Sequence, residues 1–204
     1  MASMNIVYKY FNQNHMYINL TNRCTNRCKF CIRYTETGVA GEDLWLVHEP
    51  DADEVKDALL NAGVETAEEI VFCGYGEPTL RYELIIEVCR FIRDKNPQAV
   101  IRINTNGHGN RAAGKDITPL FHGLVDEISI SLNAKNAKEY NDICVCQYGE
   151  DGFYEMLDFA KKAKEHIKSV VLSVVDVLPP DDIEKCREIA EETGVAFRVR
   201  EYSE

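Results

Sequence analysis

No stretch of the 204-residue sequence approaches the ~20 consecutive apolar residues that a membrane-spanning helix needs, which excludes a helical membrane protein. The first residues, Met1-Ala2-Ser3-Met4, lack the basic and apolar regions of a secretory leader, so an export signal is not expected. Proline is sparse at 6 and tryptophan occurs once, and no Gly-, Ser- or Pro-rich tract reads as a linker. Basic charge is also short: 23 Lys and Arg against 34 Asp and Glu leave −11, an averaged field that repels nucleic acid. One domain is therefore expected, with residues 1–15 as an N-terminal extension and 16–204 as the core domain.

Cysteine, by contrast, is abundant: Cys24, Cys28, Cys31, Cys73, Cys89, Cys144, Cys146 and Cys186. A secreted disulfide scaffold is usually shorter and richer in loops, so reduced thiols in a cytoplasmic protein are the expectation.

Short apolar runs alternate with amphipathic stretches. The runs are 16–20, 69–73, 100–104, 127–132, 169–175 and 196–200. Val170, Val171, Leu172, Val174 and Val175 are apolar at both phases of a strand, as a parallel strand covered on both faces requires. Helices are expected over 53–61, over 82–95 on a stripe of Leu84, Ile85, Val88, Cys89 and Ile92, once or twice within 135–166, and over 181–192 up to Gly194. Six such units imply right-handed β/α crossovers, and the chain is too short for a closed barrel of ~250 residues. A partial (β/α)6 barrel with parallel strands or an open doubly wound sheet remains. Either puts chemistry at the carboxyl ends of the strands.

The strongest motif follows the first run: Cys24, Cys28 and Cys31 in C-x3-C-x2-C spacing, with the next cysteine only at Cys73. Three thiolates on one loop suit three corners of an iron–sulfur cubane and leave the fourth iron open. A zinc site or a plain redox cluster would want a fourth ligand, which this spacing does not supply. Arg23, Arg27, Lys29 and Arg33 make the loop basic, which favours ionised thiols and suits docking of an acidic electron donor. Trp45 and His48 lie in the long loop beyond, a candidate lid.

The second run ends in Cys73-Gly74-Tyr75-Gly76-Glu77-Pro78-Thr79. Its glycines permit close backbone approach to a ligand, and Glu77 could accept from an ammonium group. Asn104 and Asn106 close the third run, Ser131 and Asn133 the fourth, and all four suit hydroxyl or carboxylate ligands as readily as Asx turns and caps. Asp176 follows the fifth. Arg198, Arg200 and Glu201 end the sixth, either as charged edge residues or as groups facing an anionic substrate. Cys89 and Cys186 fall on apolar helix stripes and read as core; Cys144 and Cys146 have no assigned role.

The cysteine spacing, with Phe30 before the third cysteine, resembles the radical S-adenosylmethionine (radical SAM) superfamily, and Gly74–Pro78 resembles its G-G-E-P motif with Tyr75 in place of a glycine. The resemblance implies an α/β fold of the radical SAM core type, a partial TIM-like barrel. It further implies a 4Fe–4S cluster on Cys24, Cys28 and Cys31, and S-adenosylmethionine contacts from Phe30, Gly74, Gly76, Glu77, Asn104, Asn106, Ser131, Asn133 and Asp176. Reductive cleavage of S-adenosylmethionine would give methionine and a 5′-deoxyadenosyl radical that takes hydrogen from a substrate. Many members add a basic residue after the fourth strand for the methionyl carboxylate, and Asp142–Gly149 has none. Along the whole chain, stretches such as Leu44-Trp45-Leu46, Ile101-Arg102-Ile103-Asn104-Thr105-Asn106-Gly107 and Leu172-Ser173-Val174-Val175-Asp176 resemble the TatD-linked radical SAM proteins. That implies a link to a TatD-type hydrolase, a flavodoxin- or ferredoxin-like low-potential electron donor, and a small-molecule substrate in preference to a peptide. The alternatives are a non-catalytic zinc or iron–sulfur binding module, and an activase acting on a partner protein.

Overall fold

Among the described residues seven strands hydrogen-bond in strict sequence order: β1 Val7–Tyr8, β2 His15–Ile18, β3 Glu69–Phe72, β4 Val100–Thr105, β5 Glu127–Ser131, β6 Ser169–Val175 and β7 Ala196–Arg200. The computed structural model describes residues 5–9, 14–34, 38–39 and 41–201. Part of the stretch read as an N-terminal extension, and Tyr202, lie outside these. β2 through β7 are parallel, and β1 runs antiparallel to β2. A doubly wound sheet reverses its strand order at a switch point; here there is no reversal, so right-handed crossovers place the helices on one face. The sheet is therefore an open partial barrel with an inner and an outer face.

Helices α1 Ala52–Ala62, α2 Tyr82–Lys95, α3 Gly109–Ala113, α4 Ala137–Cys144, α5 Asp151–Ala163 and α6 Pro180–Thr193 supply the outer layer. Each strand turns alternate residues to it: Ile70 and Phe72, Ile101 and Ile103, Ile128 and Ile130 all join the main core. α2 buries the stripe its sequence predicts, Leu84, Ile85, Val88, Cys89 and Ile92, and its four aliphatic side chains are each worth ~1.5–3 kcal/mol over exposure. α1 starts on a complete Asp51–Glu54 capping box and ends on left-handed Gly63, so both its boundaries are set chemically. Cys89 and Cys186 are fully buried, as their stripes predict.

The inner face divides in two. On one side Tyr8, Tyr17, Val39, Leu44, Val71 and Tyr75 form a second apolar cluster. On the other, Arg102 sits between Glu69 and Glu127 at 3.3 and 3.8 Å, and Arg198 reaches Glu127 at 3.1 Å. In the loop read as a candidate lid, Leu44 and Leu46 are buried, and Asn19 and Asn22 side chains bond their carbonyls. Trp45 stays at the surface, edge-on to Tyr75, and His48 pairs with Glu54. Among the described residues no helix is long and apolar enough to cross a membrane.

Candidate active site

The cysteine loop leaves β2 and is gripped from two sides. Glu77 N–H donates to the Arg23 carbonyl at 2.8 Å, docking the Gly74–Pro78 turn on it. Gly76 allows that approach, because a Cβ there would lie 2.2 Å from the Thr21 oxygen and 2.6 Å from the Arg23 oxygen. From the other side the end of α4 reaches in. Arg27 N–H bonds the Cys144 carbonyl (2.8 Å), Lys29 N–H the Ile143 carbonyl (3.0 Å), and Gln147 N–H the Thr25 carbonyl (2.8 Å). Val145, the residue that turns α4 out of its helix, takes φ 45°, costly for a β-branched side chain and retained where surrounding structure imposes it.

Cys24, Cys28 and Cys31 are free, half-buried, and line one cavity of about 290 Å³ at the carboxyl ends of the strands. Burial pushes the Cys24 thiol up to about 12, with the Glu77 charge adding to it. Cys28 is pushed up as well, first by its hydrogen bond with Cys144 and then by burial. This corrects the expectation that the basic loop ionises its thiols. Arg23 is committed to Glu49 at 2.7 and 2.9 Å, Arg27 and Lys29 are exposed, and Arg33 alone of the four lowers these thiols, by less than burial raises them. The bare Cys24 and Cys28 thiols hold their protons at neutral pH, and a metal must displace them.

The same cavity is lined by Phe30, Gly74, Gly76, Glu77, Asn104, Asn106, Ser131 and Asn133. Asp176 is not among its lining residues. Val175 turns to the cavity and Asp176, next along, is exposed to solvent, as strand alternation dictates. Glu77 is buried and heavily bonded. One oxygen accepts from Thr79 N–H (2.9 Å), Thr79 Oγ1 (2.6 Å) and Thr105 Oγ1 (2.6 Å), the other from Asn106 N–H (2.7 Å). Burial raises its pKa while these donors pull against that rise. Asn106 is likewise engaged with protein: Oδ1 accepts from His108 N–H, and Nδ2 donates to Thr25 Oγ1 at 2.8 Å and faces Cys24 Sγ at 3.7 Å.

Residues without a sequence signal complete the surroundings. His108, fully buried between two glycines, contacts Thr25, Tyr140 and Gly152. Cys144 bonds Cys28 and accepts from Asn133 Nδ2 at 3.5 Å, which gives that unassigned cysteine a place behind the loop. Arg200 lines the cavity, whereas Arg198 is tied to Glu127.

A family model described as the Radical SAM superfamily matches residues 18–193. The chain belongs to the radical SAM superfamily. Members of the superfamily are enzymes, and its cofactors are a 4Fe–4S cluster and S-adenosylmethionine. The chain is 27% identical over 187 residues to the "Probable GTP 3',8-cyclase" of Thermococcus kodakarensis, covering 90% of this chain and 55% of that protein. It is 30% identical over 199 residues to the molybdenum cofactor biosynthesis protein 1 of Dictyostelium discoideum, covering 94% of this chain and 29% of that one. The chain thus spans about half the length, or less, of these curated relatives. In fold it resembles a radical SAM methyltransferase from Sphaerobacter thermophilus (TM-score 0.62, 16% identity, 96% of this chain and 68% of that one). It also resembles Streptococcus suis SuiB bound to S-adenosylmethionine (TM-score 0.61, 18% identity, 94% and 41%).

The residues present fit this radical SAM cofactor pair. Three thiols of one loop share the cavity, and thiolates are the ligands iron–sulfur clusters take. Two cavity amides, Asn26 and Asn133, each keep a buried oxygen without a partner, an acceptor suited to a ligand's ammonium or hydroxyl.

Proposed function

We propose that Cys24, Cys28 and Cys31 ligate a 4Fe–4S cluster, that the adjoining cavity binds S-adenosylmethionine, and that the protein removes hydrogen from a small-molecule substrate. The observation that carries this reading is the shared cavity, where three cysteines meet the glycine turn after β3 and the polar ends of β4 and β5. When bound, the pair supplies one-electron chemistry able to take a hydrogen atom from an unactivated C–H bond. The chain's own residues bind, orient and shield. Gly74 and Gly76 seat the turn closely on Asn19 and on the Thr21 and Arg23 carbonyls, so that its own backbone carbonyls could meet a methionyl ammonium, and Glu77 braces that turn against β4. Phe30 offers an apolar face to the adenine, and Asn104, Ser131 and Asn133 offer hydrogen bonds to ribose and carboxylate. Arg200, which lines the cavity and pairs with no carboxylate among the described residues, suits a substrate bearing an anionic group.

Within the superfamily, the Leu44–Leu46, Phe72–Thr79 and Leu172–Asp176 stretches favour the TatD-linked group, and with it a TatD-type hydrolase as functional partner. Arg27 and Lys29, exposed on the cysteine loop of an acidic protein, suit an acidic low-potential electron donor. Eight free cysteines suit the cytoplasm. Anaerobic reconstitution with iron and sulfide should give about four irons per chain, and dithionite with S-adenosylmethionine should then release 5′-deoxyadenosine. A loaded protein that releases none would instead be the binding module.

A further inference from the structure

His108 is fully buried beside the cysteine loop, and its hydrogen bonds have one consistent direction. Nε2 lies 2.9 Å from the Gly152 carbonyl, which can only accept, so Nε2 carries the ring proton and Nδ1 is an acceptor. Thr25 Oγ1, 2.9 Å from Nδ1, therefore donates to the ring and has its lone pairs free for Asn106 Nδ2 at 2.8 Å. The Asn106 amide is held at both ends, Oδ1 accepting from the His108 backbone N–H at 3.0 Å and Nδ2 giving one hydrogen to Thr25, while its own backbone N–H is held by Glu77. Its remaining Nδ2 hydrogen faces Cys24 Sγ at 3.7 Å, alongside Asn26 N–H at 3.4 Å. Burial lowers the ring's pKa to about 4, so it stays neutral and keeps this tautomer at neutral pH. Gly152 is required at this point, since a Cβ there would stand 2.4 Å from Cys146 Sγ and 3.1 Å from the ring.

We propose that His108 is a positioning residue for the cluster: through Thr25 it fixes the Asn106 amide so that an N–H is aimed at Cys24 Sγ, and this bond raises the cluster's reduction potential. The proposal rests on Cys24 being a cluster ligand, as proposed above. Hydrogen bonds to cluster sulfurs stabilise the more negative reduced state, so losing one favours the oxidised state.

The test is the midpoint potential of the reconstituted full-length protein, read by electron paramagnetic resonance in a dithionite titration, together with iron content. Thr25→Val removes the hydroxyl at nearly constant shape and should shift the reduction equilibrium about tenfold toward oxidised, about 59 mV downward for one electron. Thr25→Ser keeps the hydroxyl and should restore the wild-type potential. His108→Gln, which cannot span from Thr25 to the Gly152 carbonyl as the ring does, should move the potential the same way and serves where Thr25→Val folds poorly. Wild-type potential in either loaded variant overturns the proposal. A wild-type chain that takes up no cluster on Cys24, Cys28 and Cys31 overturns the site reading beneath it, a distinguishable failure.

Discussion

Replacing Glu77 by Gln tests how far the turn after β3 depends on charge. The carboxylate takes three donors on one oxygen and the Asn106 N–H on the other, all inside the protein. An amide keeps one acceptor oxygen. With that oxygen toward Thr79 and Thr105, its NH2 group meets the Asn106 N–H, donor against donor. One bond to a charged acceptor is lost and one buried N–H is orphaned, ~3 kcal/mol together. For a domain of this size the melting temperature should fall by about 6–12 °C. The assay is thermal unfolding of the apo protein by circular dichroism at neutral pH, with S-adenosylmethionine affinity measured separately on the anaerobically reconstituted variant. Affinity should fall while iron content stays at the wild-type level. Melting within about 2 °C of wild type would refute the bracing role, and unchanged affinity would remove Glu77 from the ligand.

Alanine at Cys24, Cys28 or Cys31 should each abolish the reducible cluster, whereas Cys89→Ala and Cys186→Ala should keep it and lose about 1 kcal/mol in denaturant unfolding; the reverse pattern would void the ligand assignment. Gly76→Ala forces a methyl into the Thr21 and Arg23 carbonyls, so it should cost at least ~2 kcal/mol and lower iron uptake; wild-type melting and loading would contradict the docking geometry. His108 binds its proton more weakly folded than unfolded, so its contribution is complete above pH 6.5 and is lost as pH falls from 6.5 to about 4. Chemical unfolding of wild type against His108→Gln across that window should differ in slope, amounting to ~3 kcal/mol; parallel curves would contradict a neutral buried ring.

Spacing and periodicity made six strands, α2, α6 and the cysteine loop readable, because each repeats within a few residues. β1 was not readable: two residues carry no period, and their stability comes from pairing with β2 and from Tyr8 stacking on Tyr17. α3, five residues long, has the same defect. The division of 135–166 into α4 and α5 turns on Val145 in a left-handed conformation, which a β-branched residue does not advertise. That Asp176 lies outside the cavity lining was not readable, because β6 is apolar on both faces and so hides its phase. Arg198 and Arg200, inseparable by alternation, are told apart only by Glu127 from another strand. His108 was invisible because its partners, Thr25, Tyr140 and Gly152, are distant in sequence and joined only by the fold.

The grip of α4 on the cysteine loop has a consequence for the order of folding. The Asn26 side chain meets the Tyr140 hydroxyl across 114 residues of chain, and backbone bonds from Arg27, Lys29 and Gln147 close the same span. Contacts so distant form only after the intervening loop-closure entropy has been met, which places them late. The loop precedes β3, β4, β5 and α4 in the chain, yet it takes its shape only once they have been made and have docked. Pulsed hydrogen exchange during refolding should accordingly find the amides of Arg27 and Lys29 protected after those of β4 and β5. Until β3, β4, β5 and α4 are in place the three thiols lack the geometry a cluster would need, so on the ligand reading proposed above iron uptake would report that the sheet is already assembled.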